Sequence, residues 1–205
     1  TLGEVVPAAA DCFSKKELFV IHPGAGSKRK RWEPENFFTV AREGAGRGMG
    51  RPVFLIGPAE EALIEFFEKE MGSDGRLRRG GLDDPPGRMW LSDVCPESPY
   101  FYFQTQDLRE VVSLLRQSNC FVGNDSGLTH LAAYLGLPTV VLFGPSSPSR
   151  WAPVGGNVVL LRGTDDCPPC FETAQRNCDD PRCLKGISTQ MVLEAMEGVQ
   201  NRNHY

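Results

Sequence analysis

A chain of 205 residues, 40% hydrophobic and with 22 glycines and 16 prolines, has the apolar mass for one compact α/β domain with irregular loops. Its formal net charge of −4 excludes a general attraction to nucleic acid or to an anionic membrane, so any basic function is local. No apolar window is long enough to span a bilayer, and the opening "TLGEVVPAAADCF" has neither a basic start nor an apolar core, which predicts a soluble, cytoplasmic protein. The first residue is Thr rather than Met, so the expectation is a piece of a longer protein, with residues 1–17 a linker or the remnant of an interdomain segment.

In chain order, "LFVIH" (Leu18 to His22) predicts the first strand. The loop "PGAGSKRKRW" follows, then a helix from about Pro34 to Arg47, with proline suited to the first turn. Pro52 to Gly57 predicts a second strand, and "AEEALIEFFEKEMG" a helix with Leu63, Phe66, Phe67 and Met71 on one apolar face. Ser73 to Phe103 carries "DDPPG" and "CPESPY" and is expected to be irregular, with a short strand near Met89 to Leu91. Asp107 to Gln117 returns to helical spacing, with Leu108, Val111, Val112 and Leu115 apolar. Cys120 to Gly123 reads as a strand. After a tight turn, Leu128, Leu131, Ala132 and Leu135 recur as on a helix that stops at Gly136, with Pro138 just beyond. Thr139 to Gly144 and Val158 to Leu161 predict further strands, and Thr189 to Val199 a last helix. This alternation predicts an α/β fold: a Rossmann-like parallel sheet with helices on both faces over residues 18–200, followed by a tail at 201–205.

Two loops then share one edge of that sheet. Asp125 and Ser126 fall at the end of a strand and at a helix N-cap, where open α/β sheets bind ligands. Backbone N–H groups near Ser126, Gly127 and Leu128, together with the positive end of the helix dipole, suit an anion, most simply a phosphate. Asx/Ser-Gly before a helix is also ordinary capping chemistry; Gly127 adds room for close approach, and His130 lies one turn along the same face. The loop after the first strand offers Gly24 and Gly26 for a tight turn, with Ser27 and Lys30 as hydroxyl and cation. Lys28 and Arg29 stand where a dinucleotide fingerprint wants its third glycine, and no Gly-Lys-Ser/Thr ends the loop, so both a dehydrogenase and an ATPase are declined. A solvated basic turn has the same composition.

Seven cysteines, an odd number without a secretory signal, argue against a disulfide framework. Cys167, Cys170, Cys178 and Cys183 form C-x2-C-x7-C-x4-C, which suits either a tetrathiolate zinc knuckle or thiols that simply pack a loop. The acidic net charge and the lack of an extended basic face argue against a zinc-stapled nucleic-acid binder.

Taken together, "HPGAGSKRKRW", "GNDSGLTHLAA", "PTVVLFGPSSPSRWAP" and "CPPC…C…CL" resemble the carboxyl-terminal half of family 9 glycosyltransferases, the heptosyltransferases of lipopolysaccharide core assembly. The resemblance implies half of a GT-B fold, with ADP-heptose as the nucleotide-sugar donor and no required cofactor; a family member using a different nucleotide sugar, or a non-catalytic nucleotide-binding or interaction module, stays open because the phosphate-facing residues do not read the sugar. It places the lipid A–Kdo core acceptor and an aspartate base on an amino-terminal domain outside this chain. It also implies donor contacts by residue: Lys30 at the diphosphate and sugar, Ser126, Gly127 and His130 at the phosphates, and Thr105 and Gln106 near adenine. Gly26 and Ser27 belong to the same phosphate loop. Asp125 is assigned to sugar hydroxyls because its charge does not favour a diphosphate, and Glu60 or Glu61 to the ribose, although acids also open helices favourably. No D-x-D sequence occurs to carry a divalent metal, so the expected reaction is a metal-independent, inverting displacement. For the full-length enzyme, peripheral association with the cytoplasmic face of the inner membrane is allowed.

Overall fold

The computed structural model describes residues 18–70, 77–80, 100–163, 167–173, 178 and 181–202. Its centre is made by strands β1 (Leu18–His22), β2 (Arg51–Ile56), β5 (Ser118–Asn124) and β6 (Thr139–Leu142), which are buried almost throughout and, apart from the polar ends of β5, mainly apolar. That composition suits strands covered on both faces. With β3 (Leu77–Gly80), β4 (Tyr100–Gln104) and β7 (Val158–Leu161), they form one sheet in the order β3-β4-β2-β1-β5-β6-β7. Every neighbouring pair runs parallel.

Alternate residues along the strands feed two separate cores. Phe19, Ile21, Phe54, Ile56, Cys120, Val122, Val140 and Leu142 pack with helices α1 (Pro34–Gly46) and α7 (Thr189–Asn201), through Phe37 and Val40 of the first and Val192, Leu193, Met196 and Val199 of the second. Leu63, Ile64 and Phe66 of α2 (Ala62–Glu70) join that cluster. Leu18, Val20, Val53, Leu55, Phe103 and Phe121 pack with α3 (Leu108–Arg116) and α4 (Gly127–Tyr134) on the other face. Each large apolar side chain buried this completely contributes roughly 1.5–3 kcal/mol. The caps follow local chemistry: the Asp107 carboxylate accepts from the Arg109 N–H, the Ser188 hydroxyl from the Met191 N–H, and Gly136 takes φ +76° just past α4.

Two expectations change, and two short helices are added. The segment Ser73 to Phe103 is not wholly irregular: β3 and the start of β4 lie in it, and both pair into the sheet edge. The proline-rich stretches around them masked strands as short as "LRRG", which lacks any alternation. The expected strand near Met89 to Leu91 lies outside the described residues, as do Met71 and the side chain of Phe67. In α3 the apolar face is Val111, Leu114 and Leu115, while Leu108 at the first turn is 62% exposed. Two short helices, α5 (Pro148–Trp151) and α6 (Arg182–Lys185), had no periodic signal to announce them.

The strand order reverses at the centre. From β1 the chain builds outward to one side through β2, and its second half starts on the other side of β1 with β5. The loops leaving β1 and β5 therefore open side by side at the carboxyl edge, where a crevice forms.

Candidate functional site

A buried amide stitches the two loops together. The Asn124 side chain, wholly buried at the end of β5, accepts from the Trp32 backbone N–H at 3.0 Å and donates to the Pro23 carbonyl at 2.8 Å. The Trp32 indole N–H donates to the Ile187 carbonyl at 3.2 Å, and its ring meets Phe37 edge-on at 5.1 Å. Both ends of the β1 loop are thus fixed, which lets the basic residues between them project from a rigid base.

Within that loop the Ser27 hydroxyl caps a single 3-10 turn, Lys28–Lys30, by accepting from the Arg29 N–H. The Lys30 ammonium then crosses to the β5 loop and donates to Asp125 Oδ2 at 2.7 Å, an oxygen that also accepts from the Ser146 hydroxyl. Asp125 is buried, whereas Lys30 keeps about a fifth of its side chain in solvent. The cation is therefore presented outward from a fixed carboxylate. Arg31 turns the other way, donating to the Ala25 carbonyl at 3.0 Å and approaching Glu60 Oε1 at 3.5 Å.

Glu60 lies beneath the loop. Its other oxygen accepts from the Gly57 N–H at 3.2 Å. His22, at the end of β1, donates from Nδ1 to the Leu55 carbonyl at 2.9 Å, which leaves Nε2 unprotonated in the neutral ring. Burial pulls the imidazole pKa below its ordinary value, outweighing the Leu55 hydrogen bond and the nearby Glu60 charge. A Cβ on Gly24 would come within 2.5 Å of the Glu60 carboxyl and 2.7 Å of the His22 ring. A side chain there would have to displace the Glu60 carboxyl and the His22 ring.

Across the crevice Ser126 is the N-cap of α4, but its hydroxyl pairs with Thr129 Oγ1 at 3.1 Å and makes no capping bond. Thr129 in turn donates to the Asn124 carbonyl at 2.6 Å. The N–H groups of Gly127 and Leu128, in the first turn, have no intrahelical acceptor available to them. Open space surrounds the Cα atoms of Gly26 and Gly127. His130 is half-buried in the first turn of α4. The arrangement offers an anion a helix N-terminus on one side and an ammonium on the other.

The third part lies beyond β2 and β4, where Pro58, Gln104, Thr105 and Gln106 line a cavity of about 270 Å³. Thr105 is locked by Glu110 and by the Asp107 N–H, and Glu61 accepts from the Gln104 amide at 3.3 Å. Of the two acids left open by the sequence, Glu60 is turned inward to Gly57 and Arg31, and Glu61 is the exposed one beside the cavity wall. A roomier cavity of about 500 Å³ lies at the opposite edge, lined by Met49, Ser118, Asn119, Leu137 and Gln200 among others. It faces the start of β5 and none of the residues above.

The cysteines do not assemble a metal site among the described residues, where no group of three His, Cys, Asp or Glu side chains has that geometry. Cys170 Sγ accepts from the Arg29 guanidinium at 3.0 Å. Burial, with Cys167 beside it, pushes the Cys183 thiol up to about 11. The cysteine loop brings to the site a side chain the sequence did not single out: the Phe171 ring lies against Arg29 and Lys30. Only the adjoining "CPPC" marked the segment, and contacts across some 140 positions leave no local signal.

The sequence profile of glycosyltransferase family 9 (heptosyltransferase) matches residues 103–179. The lipooligosaccharide heptosyltransferase 2 of Haemophilus influenzae is 38% identical over 169 residues, covering 78% of this chain and 48% of that protein. Among solved structures, the E. coli ADP-heptose lps heptosyltransferase II matches with a TM-score of 0.69 at 20% identity, over 96% of this chain and 50% of that one. An E. coli heptosyltransferase solved with ADP matches with a TM-score of 0.63 at 18% identity, over 90% and 45%. The chain thus spans about half the length of these relatives.

Proposed function

Because the chain is a heptosyltransferase-like domain of glycosyltransferase family 9, we propose that it is the donor-binding half of an enzyme that adds heptose to the lipopolysaccharide inner core. The donor is a nucleoside diphosphate sugar, ADP-heptose, seated in the crevice between the β1 and β5 loops. The domain begins at about residue 18 and runs to the end of α7, with 1–17 a linker or the remnant of an interdomain segment.

One observation carries this reading: a 2.7 Å pair between Lys30 and Asp125 joins the two loops at the point where the strand order reverses. A diphosphate arriving there competes for the Lys30 ammonium and takes the N–H groups of Gly127 and Leu128, with the Ser27 and Ser126 hydroxyls and His130 at its edge. Asp125, relieved of its cation, accepts from the donor sugar's hydroxyls. Adenine enters the cavity beside Thr105 and Gln106, and an acid after β2 accepts from the ribose; Glu61 is better placed for it than Glu60. As the anomeric bond breaks, charge grows on the leaving ADP, and Lys30 and the helix N-terminus stabilise it without a divalent metal. Transfer proceeds by inversion, the acceptor hydroxyl giving its proton to a base on the acceptor-binding part of the enzyme. That part holds the lipid A–Kdo core at the cytoplasmic face of the inner membrane. Among the described residues no helix is long and apolar enough to cross a membrane.

Calorimetric titration with ADP, UDP and GDP tests this. ADP binds preferentially, and Lys30→Ala weakens it about tenfold or more, the range of a charge-assisted hydrogen bond. Asp125→Ala changes ADP affinity less and costs more with ADP-heptose. Equal affinity for the three nucleotides, or an unaffected Lys30→Ala, contradicts the assignment.

A further inference from the structure

Phe171 is 40% exposed, so its ring is not there to fill a core, yet it sits where the two outward cations of the β1 loop meet. The Arg29 guanidinium lies 4.9 Å from the ring centroid and the Lys30 ammonium 5.8 Å. The backbone beside the ring is tied down elsewhere. The Phe171 N–H donates to the Pro145 carbonyl at 3.1 Å, and the Glu172 carboxylate accepts from the Ser147 N–H at 3.1 Å and the Trp151 indole at 2.8 Å. Cys170 adds its sulfur to the same Arg29 guanidinium. Residues 170–172 are therefore anchored to the chain after β6 and reach across to the cations of the β1 loop.

The chemistry of the contact suits an anion-binding loop. A carboxylate holding Lys30 competes with an incoming phosphate for the same charge, as Asp125 does. The negative face of an aromatic ring holds a cation while leaving its charge unneutralised. Resting on the donor-binding reading above, we propose that Phe171 is a positioning residue. Its ring holds Arg29 and Lys30 in the geometry that receives the diphosphate, and it keeps them there when Lys30 leaves Asp125.

The test compares Phe171→Leu, which keeps apolar bulk and removes the ring, with Phe171→Tyr, which restores the ring. ADP and adenosine serve as ligands, and hydrogen exchange of the Lys30 and Arg31 amides as a ligand-free readout. Both amides close the 3-10 turn, donating to the Ser27 and Lys28 carbonyls. Phe171→Leu weakens ADP about fivefold, the scale of one cation–π contact, leaves adenosine unchanged and speeds exchange at both amides. Phe171→Tyr returns both readouts to the parent values. Unchanged exchange in Phe171→Leu, equal losses for ADP and adenosine, or a tyrosine variant no better than leucine overturns the proposal. If the parent chain fails to bind ADP, the donor-binding reading falls, and the exchange comparison still decides the role of the ring.

Discussion

Asn124 shows how a single side chain can hold two loops together. Its amide accepts from Trp32 and donates to Pro23, both at least 92 positions away, so its removal leaves a buried N–H and a buried carbonyl unsatisfied. Asn124→Ala should lower the unfolding free energy by about 2–4 kcal/mol, measured by urea denaturation, because each orphaned group costs its own desolvation. At His22 the direction of a pH effect follows from burial. Its folded pKa lies below the unfolded 6.5, so the unfolded chain takes up a proton that the folded one refuses. Stability is then at its full value above about pH 6.5 and falls as pH drops below it. Urea midpoints across that window should decline for the parent and decline less for His22→Asn, in which one donor remains for Leu55. Asp125, Ser126 and Lys30 could be singled out from the sequence as candidates because helix-capping and loop patterns are local. The pairing of Lys30 with Asp125 could not, nor the inward turn of Glu60, since both depend on contacts across the fold.

Elements with strong periodicity were legible: β1, β2, α1, α4 and α7 lie where spacing and caps put them, within a few residues. Those that owe their form to tertiary contact were not. The edge strand β3 is defined by its pairing with β4, and α6 by its packing against Gly163, just past the end of β7. The latter packing is tight enough to test. Gly163 donates to the Cys183 carbonyl at 2.8 Å, and a Cβ there would meet the Arg182 carbonyl oxygen at 2.7 Å and that of Cys183 at 2.9 Å. These are backbone atoms and cannot swing aside. Gly163→Ala is expected to cost about 1–3 kcal/mol and lower Tm, with the cysteine loop displaced from α6. A Tm equal to that of the parent would mean that the turn is not held in this way. By contrast, the exposed Arg47–Glu197 pair joining α1 to α7 offers little stability on general grounds.

At the scale of the whole molecule, alternating strand and helix signals sufficed for a parallel α/β sheet, and the sheet order then put the two candidate loops side by side. Composition alone said nothing of which edge is used. Two edges compete: the carboxyl edge, with its fixed charges and helix N-terminus, and the opposite edge, with the roomier cavity beside Asn119 and Gln200. Volume favours the second and chemistry the first, since a nucleotide needs groups that answer its phosphates. Hydrogen exchange of the chain with and without saturating ADP separates them directly. Protection confined to the Gly24 to Arg31 loop, the start of α4 and the Gln104 to Gln106 turn is the predicted result. Protection around Met49, Asn119 and Gln200, or none anywhere, would contradict it.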